Sequence, residues 1–296
     1  MSRFSQAIQS NRFLVTMEAA PPKGTDAAPA LKGIELMRAY VDGVNATDQQ
    51  GSVMRSSPWA LCKLMLDRGV EPIMQVTARD RNRIALQAEI LAAAILGIEN
   101  VLLLTGDPTG MGDHPDAKAV FDLGSVTLVT MARTLEQGKD MAGNALQGTP
   151  KLCIGVAASP GMKPLEPEIE KLKQKVEAGA RFVQTQPVFD LEEFATFMER
   201  IRGLDVAVLG GLMPLKSAKN AAFLNANIPG VHVPDSLAQE IDRAEEKSRA
   251  AIEIMARTVR GLRKLCRGVH VMPMGWERYV PEALAKAGIE PKTASA

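Results

Sequence analysis

Apolar and polar positions follow two alternating periods along the chain. Short apolar runs, typical of buried parallel strands, are separated by longer stretches whose apolar residues recur every three or four positions, as on one helix face. The runs predict strands at residues 13–18, 43–46, 72–76, 100–104, 151–157, 182–186, 206–212 and 269–272. The longer stretches predict helices at 28–40, 54–68, 80–96, 124–137, 166–178, 191–201, 217–225 and 234–266, with a closing helix at 281–287.

This order of elements predicts the fold class. Eight strand–helix alternations match a (β/α)8 TIM barrel, and an open doubly wound α/β sheet is the alternative. Gly69, Gly97 and Gly179 each follow a helical stretch directly before a strand, where a left-handed helix cap is expected. Because these helix ends lead directly into strands, they favour one continuous domain over residues 1–296, with a frayed tail from about residue 291.

Composition narrows the class of ligand. With 46% hydrophobic residues, 23% charged residues and a formal net charge of +1, the chain resembles a soluble globular protein. This charge gives no general reason to expect nucleic acid or an anionic membrane. No stretch is apolar enough to span a bilayer and the first residues lack an apolar signal core, so we expect a cytoplasmic protein that binds a small molecule.

The metal-ligating residue types are widely scattered. They are Cys62, Cys153, Cys266, His114, His232 and His270. No pair has the spacing of a zinc site or a disulfide framework, so we predict no protein-held metal and expect the cysteines to fill space in the core.

Three apolar runs end in polar side chains that a buried strand rarely carries. These endings are Glu18, Asp107 and Gln186, and the residues two positions earlier, on the same strand face, are Thr16, Thr105 and Gln184. Because the carboxyl ends of barrel strands meet at one rim, the endings predict one shared pocket. The alternative is that polar residues begin loops, which suits Asp107 better than Glu18 or the pair of glutamines.

Two of these endings carry specific chemistry. Pro21 and Pro22 stiffen the backbone after Glu18. A glutamate in apolar surroundings is expected to have a raised pKa, which suits a general acid; the alternative is a structural pair with a buried lysine or arginine. Gly106, next to Asp107, would let a planar ligand approach the backbone closely.

A basic helical segment follows later in the chain. Lys171 and Lys175 lie four residues apart and share a helix face with Glu168. This face could bind a phosphate or form a solvated, salt-bridged surface. The residues alone favour the solvated surface.

An ordered set of motifs between Val15 and Pro273 resembles the methylenetetrahydrofolate reductase family. The motifs are TMEAAPPKG, NVLLLTGDP, GDHPDAKAVFD, KLKQKVEAGARF, VQTQPVFD and GGLMPLKSAKN. The resemblance implies a flavin-dependent (β/α)8 barrel that reduces 5,10-methylenetetrahydrofolate to 5-methyltetrahydrofolate. It implies FAD, with FMN as the alternative, NAD(P)H as electron donor, and a homo-oligomer or complex subunit.

The resemblance also assigns roles to residues. It implies that Glu18 is the general acid, that Asp107 stabilises a cationic intermediate, and that Gln186 binds folate and nicotinamide in turn; all three contact substrate. The implied flavin-binding residues are Thr47, Gln75, Thr105, Gly106, Asp107, Phe121 beside the adenine, and Lys175 at the phosphates. For Lys175 this reverses the expectation of a solvated surface.

Three positions depart from the family pattern. Gln75 stands where a histidine is familiar and Gln174 where an arginine is. Ala218 replaces an aromatic residue that stacks on nicotinamide or folate, which suggests that electrons arrive from a partner flavoprotein or iron–sulfur protein. The competing hypotheses are a folate-binding barrel without redox chemistry, such as a pterin methyltransferase, and a noncatalytic docking subunit.

Overall fold

Eight parallel strands form a closed barrel in the computed structural model, which describes residues 1–10 and 12–292. The strands are β1 Leu14–Ala19, β2 Gly43–Ala46, β3 Pro72–Thr77, β4 Asn100–Leu104, β5 Cys153–Ala158, β6 Phe182–Pro187, β7 Ala207–Leu212 and β8 Gly268–Val271. Each strand pairs with the next, and β8 closes on β1 through pairs such as Thr16 with His270. The predicted (β/α)8 barrel is confirmed, and the open sheet is wrong.

Helices surround the barrel. They are α1 Arg3–Gln9, α2 Ala28–Met37, α3 Pro58–Leu66, α4 Arg83–Ile95, α5 Ser125–Glu136, α6 Glu166–Glu177, α7 Leu191–Ile201, α8 Ala218–Asn227, α9 Asp235–Arg243, α10 Lys247–Leu265 and α11 Val280–Lys286. In the described part of the chain, none is both long and apolar enough to cross a membrane.

Two features of the helices differ from the sequence prediction. The stretch 234–266 is two helices, because Ala244 and Glu246 have extended backbones at the junction. No proline or glycine marks this break in the sequence. The short helix α1 carries only Phe4 and Ala7 as buried residues, too few to reveal a helical period.

Helix α1 closes the amino-terminal end of the barrel. The ring of Phe4 packs edge-on against Phe182 of β6, with ring centroids 5.1 Å apart. A Cβ at Gly155 would lie 2.1 Å from Phe182, so this glycine makes room for the ring inside the barrel. Phe4 and Phe182 pack with Leu14, Leu209 and neighbouring apolar side chains in one cluster. The interior of the barrel is therefore filled at the amino-terminal ends of the strands.

The frayed tail predicted from about residue 291 falls mostly on residues 293–296, which lie outside the described residues. Lys292, the last described residue, donates its backbone N–H to the carbonyl of Ala39 at 2.6 Å and pairs with Asp42. The chain is therefore anchored to the barrel at this point.

Candidate functional site

A layer of polar side chains lies above the apolar floor of the barrel. Asn45 Nδ2 donates to Gln184 Oε1 at 2.6 Å, and Gln184 Nε2 donates to Thr16 Oγ1 at 3.0 Å. Thr16 Oγ1 in turn lies 2.9 Å from His270 Nδ1. All four side chains are buried, so each depends on the others for its hydrogen bonds.

A cavity of ≈ 240 Å³ opens above this layer, at the carboxyl ends of the strands, and we call it the rim cavity. It is lined by Glu18, Asp48, Gln50, Gln75, Thr77, Arg79, Leu102, Leu104, Thr105, Gly106, Asp107, Ala157, Gln184, Thr185, Gln186, His270 and Met272. The residues expected to be catalytic, Glu18, Asp107 and Gln186, therefore line the same space, as do Gln75, Thr105 and Gly106.

Glu18, near the end of β1, accepts hydrogen bonds on both carboxylate oxygens. Gln75 Nε2 donates to Oε1 at 3.1 Å and Gln50 Nε2 donates to Oε2 at 3.0 Å, while His270 Nε2 lies 3.5 Å from Oε1. Among the described residues, no lysine or arginine pairs with it.

The pKa of Glu18 lies below its ordinary value. Burial raises this pKa, but the hydrogen bond and charge of His270 and the amides of Gln75 and Gln50 together outweigh burial. The expectation of a raised pKa in apolar surroundings is therefore wrong, because the surroundings are hydrogen-bond donors.

Asp107 lies in the loop after β4, which ends at Leu104, so the strand-parity argument does not hold for Thr105 and Asp107. Gly51 N–H donates to Asp107 Oδ2 at 2.9 Å. The Asp107 carbonyl accepts from Ser52 Oγ at 3.0 Å and from Arg79 Nη1 at 3.1 Å. Both the backbone and the side chain of this aspartate are thus held from neighbouring loops.

Gly106 precedes Asp107 with a positive φ of 93°. A Cβ there would lie 3.0 Å from the Cβ of Arg79 and 3.1 Å from that of Thr77. The glycine thus allows both the left-handed backbone and the close approach of β3.

Gln186 is half-buried near the end of β6, where the register with β7 shifts between Gln184 and Pro187. Thr185 stabilises this irregular stretch, because its hydroxyl accepts from Gly211 N–H and donates to the carbonyl of Gln186, both at 2.9 Å. Gln184 therefore lies in the polar layer and Gln186 lines the cavity above it.

The sequence argument missed one turn of the site. It is formed by Gln49, Gln50, Gly51 and Ser52, and we call it the 49–52 turn. Gln49 and Ser52 are non-glycine residues with positive φ angles of 51° and 58°. The turn places Gln50 against Glu18 and the N–H of Gly51 against Asp107. It therefore links two residues that were expected to be catalytic. Its position directly after β2 was the available signal.

Buried charges past β2 and β3 were also missed. Arg79 is only 2% exposed, pairs with Asp80 at 2.7 Å and donates to Ser52 Oγ at 2.8 Å. Asp48 accepts from the backbone N–H of Thr77 at 2.8 Å and from Arg81 at 2.7 Å. These pairs stabilise the loops that carry the site.

His270 received no role from the sequence, because no other histidine or cysteine lies at metal-ligand spacing from it. Its position on β8, opposite Thr16 in the strand register, instead places its ring between Thr16 and Glu18. A histidine on the inner face of a barrel strand was the signal in the sequence.

Comparison with known proteins identifies the family of the chain. The model of the methylenetetrahydrofolate reductase family matches residues 3–288. The chain belongs to this family. Methylenetetrahydrofolate reductase 1 of Schizosaccharomyces pombe is 26% identical over 252 residues, which is 81% of this chain and 39% of that protein. The 5,10-methylenetetrahydrofolate reductase of Pectobacterium carotovorum subsp. carotovorum is 26% identical over 76% of this chain and 73% of that protein.

The chain thus spans about two fifths of the length of the S. pombe relatives, 39% for each of two reductases. Among solved structures, it is similar to an uncharacterized protein from Clostridium thermocellum that binds two copies of 5-methyl-5,6,7,8-tetrahydrofolic acid. The TM-score is 0.67 at 16% identity, covering 97% of this chain and 98% of that one. At this identity the likeness shows the fold alone.

A second space in this member of the methylenetetrahydrofolate reductase family, of ≈ 150 Å³, lies beside the rim cavity, and we call it the side pocket. It is lined by Leu103, Leu104, Thr105, Ser125, Ala157, Ser159, Glu168, Lys171 and Lys175. Ser125 is the first residue of α5, and its buried Oγ has no hydrogen-bond partner among the described residues. A buried hydroxyl without a partner beside two lysines suits an anionic group.

Lys175 is buried, so the expectation of a solvated surface is wrong for this residue. Its Nζ donates to the carbonyl of Ala157 at 2.7 Å. Burial lowers the pKa of Lys175 to about 8, with Glu168 opposing and Lys171 adding to the shift. A bound anion would favour the charged form of this side chain and raise its pKa.

Two residues expected to contact flavin lie outside both spaces. Phe121 is exposed in the loop after β4, with a positive φ of 43°. Thr47 is buried directly after β2, and its Oγ1 has no hydrogen-bond partner in the described part of the chain. Ala218, at the position where stacking was expected, is the first residue of α8 and follows the helix cap Ser217.

Proposed function

We propose that this protein reduces 5,10-methylenetetrahydrofolate to 5-methyltetrahydrofolate, with a flavin as the hydride carrier. The observation that carries the proposal is the convergence of Glu18, Asp107 and Gln186 on the rim cavity. Membership of the methylenetetrahydrofolate reductase family supports it, as does the fold shared with a protein that binds 5-methyltetrahydrofolic acid.

The side pocket and the rim cavity together suit a flavin. Lys175 and the unpartnered hydroxyl of Ser125 would hold its phosphates, and the segment from Thr105 to Asp107 would border its ring. FAD is the proposed form, with FMN as the alternative. When bound, the flavin supplies the hydride.

The reaction needs one hydride and one proton. The bond between N10 of the folate and the methylene carbon breaks, N10 takes a proton, and the carbon, left as an N5 iminium cation, takes the hydride to become the methyl group. Glu18 delivers the proton to N10, and the negative charge of Asp107 stabilises the cation. Gln186 orients the folate by hydrogen bonding.

The electron donor follows from Ala218 at the start of α8. A methyl group offers no stacking surface for a nicotinamide ring, so we propose slow direct reduction by NAD(P)H and an electron-transfer protein as the main donor. Stopped-flow mixing of the oxidised protein with NADH tests this point. Rapid bleaching of the flavin would show that no partner is required.

The role of Glu18 is tested on a single half-reaction. The protein is reduced with dithionite and mixed with methylenetetrahydrofolate, and flavin reoxidation is followed. Glu18→Gln should slow this step by about 10²-fold or more, the usual contribution of a general acid, and leave the dithionite reduction unchanged.

The matched control is Glu35→Gln, at an exposed position on α2, which should behave as the wild type. Equal rates in Glu18→Gln and the wild type would refute the general-acid role. A colourless protein that still binds 5-methyltetrahydrofolate would instead favour a folate-binding barrel without redox chemistry.

A further inference from the structure

Arg79, in the loop after β3, connects the two neighbouring loops at the edge of the rim cavity. Its Nη1 donates to Ser52 Oγ at 2.8 Å and to the carbonyl of Asp107 at 3.1 Å. The carbonyl of Gln49 accepts from both Nη1 and Nη2 at 3.4 Å. One guanidinium group therefore holds the 49–52 turn against the loop after β4.

The charge of this guanidinium is balanced by Asp80. Arg79 Nε donates to Asp80 Oδ1 at 2.8 Å and Nη2 donates to Oδ2 at 2.7 Å, which is the two-point geometry of a strong arginine–carboxylate pair. Arg79 is buried, so an unpaired charge at this position would be costly. Asp80 therefore fixes the orientation of the guanidinium and neutralises it.

The carboxylate of Asp107 has no ion-pair partner among the described residues. Arg79 contacts the backbone carbonyl of Asp107, while the carboxylate accepts from the neutral N–H of Gly51 at 2.9 Å. A cation within about 4 Å would offset the negative charge of the carboxylate. The arrangement therefore leaves that charge available for the iminium cation of the proposed reaction.

The 49–52 turn extends the restraint from Arg79 to Glu18. Gln50 Nε2, at the centre of the turn, donates to Glu18 Oε2 at 3.0 Å. Two non-glycine residues of the turn have positive φ angles of 51° and 58°, which L-residues seldom adopt unless their surroundings hold them there. The hydrogen bonds from Arg79 to both ends of the turn provide such a hold.

We propose that Arg79, neutralised by Asp80, is a positioning residue that fixes the 49–52 turn and the loop of Asp107 in one arrangement and leaves the Asp107 carboxylate without a counter-charge. This inference rests on the proposed function for the roles of Glu18 and Asp107 and deepens it. Loss of Arg79 slows the folate half-reaction more than it weakens folate binding, because a displacement of about 1 Å in a reacting group can cost roughly 10²-fold in rate.

The test separates rate from binding in Arg79→Ala. Flavin reoxidation in the dithionite-reduced protein measures the rate with methylenetetrahydrofolate, and titration of the oxidised protein with the same folate measures the affinity. We expect the rate to fall by about 10- to 100-fold and the affinity to change by less than about threefold.

Added guanidinium chloride, well below concentrations that unfold the protein, should restore part of the lost rate in Arg79→Ala. A cavity of ≈ 350 Å³ that Arg79 also lines provides a route to the vacated position. Sodium chloride at the same ionic strength should not restore the rate. A purely structural role of Arg79 would not produce this rescue, so a loss of rate that guanidinium does not reverse would overturn the inference.

The matched control is Arg83→Ala. Arg83 makes the same two-point contact, with Asp122, but from an exposed position on α4. Neither rate nor affinity should change in this variant. A wild-type rate in Arg79→Ala would overturn the inference.

Asp80→Asn provides a second test if Arg79→Ala does not fold. The guanidinium of Arg79 is then no longer neutralised and should move towards the carboxylate of Asp107. The rate of the folate half-reaction should fall by about tenfold or more, because the charge that stabilises the cation is offset. An unchanged rate in Asp80→Asn overturns the inference equally.

Hydrogen exchange at the Gly51 amide provides a measure that does not depend on turnover. In protein labelled with ¹⁵N-glycine, the Gly51 signal is identified by its loss in Gly51→Ala. Because this N–H is bonded to Asp107 across the two loops, its exchange should be faster in Arg79→Ala than in the wild type. Equal exchange would contradict the restraint. A wild-type protein without folate turnover would contradict the proposed function and leave this comparison interpretable.

Discussion

Gly106→Ala is the most informative single substitution, because it tests how the backbone positions Asp107. An alanine at a φ of 93° adopts a conformation that L-residues avoid, and its Cβ would lie 3.0 Å from Arg79 Cβ and 3.1 Å from Thr77 Cβ. Backbone strain of this kind costs about 1–3 kcal/mol. Thr77 is the last residue of β3 and Arg79 follows it closely. Because a Cβ atom cannot move without its backbone, we expect the loop that carries Gly106 to move instead.

Movement of the loop would displace the carboxylate of Asp107 and weaken the hydrogen bonds from Ser52 and Arg79 to its carbonyl. A displacement of about 1 Å in a catalytic group can cost roughly 10²-fold in rate. We therefore expect the free energy of unfolding to fall by about 1–3 kcal/mol and the folate half-reaction to slow by about 10- to 100-fold.

The assay combines urea unfolding with stopped-flow reoxidation of the reduced protein by methylenetetrahydrofolate. Gly110→Ala is the matched control, because it lies in the same loop and no atom is within 4 Å of its added Cβ. We expect its free energy of unfolding to stay within about 0.5 kcal/mol of the wild type. Wild-type stability and rate in Gly106→Ala would refute the reasoning.

Three further predictions concern the cofactor, the apolar packing inside the barrel and the loss of stability at low pH. Lys175→Met should weaken flavin binding by about 10- to 100-fold, because a charged hydrogen bond is lost, whereas the exposed Lys173→Met should leave flavin binding unchanged. Flavin release during dialysis measures both variants, and equal flavin retention would contradict the role of Lys175 at the phosphates. Phe182→Ala should lower the free energy of unfolding, measured in urea, by about 3–5 kcal/mol, whereas the exposed Phe223→Ala should have a small effect. A loss below about 1 kcal/mol in Phe182→Ala would show that the apolar side chains inside the barrel are not close-packed. Because the pKa of Glu18 is lowered in the folded state, its carboxylate stabilises the fold above the ordinary value of 4.5, and this contribution is lost as pH falls through the folded pKa. In urea unfolding between pH 7 and pH 3, the free energy of unfolding should therefore fall less steeply with falling pH in Glu18→Gln than in the wild type. An identical pH dependence in both proteins would count against the lowered pKa.

The barrel could be predicted from the sequence because it depends on repeated local patterns. Eight apolar runs alternating with helical stretches are enough to indicate the topology, and the helix-capping glycines indicate where helices end before strands. The break between α9 and α10 could not be predicted, since residues 244–246 include no proline or glycine, although the backbone is extended at Ala244 and Glu246. Helix α1 was too short to show a period.

The site was predictable where polar side chains interrupt strand ends, as at Glu18 and Gln186. Asp107 also lines the rim cavity, but from a loop, so strand parity was the wrong reason for placing it there. His270 and the 49–52 turn depend on contacts between residues far apart in sequence, and no spacing rule detects them. The lowered pKa of Glu18 has the same origin, because its donors come from three other parts of the chain.

Anaerobic titration of the purified protein with 5-methyltetrahydrofolate, followed through the flavin absorbance, tests the central claim most directly. If the rim cavity brings a flavin and a folate together, the oxidised flavin band should bleach as methyltetrahydrofolate is converted to methylenetetrahydrofolate. A flavin spectrum that stays unchanged at saturating methyltetrahydrofolate, or a purified protein that binds no flavin, would contradict the account.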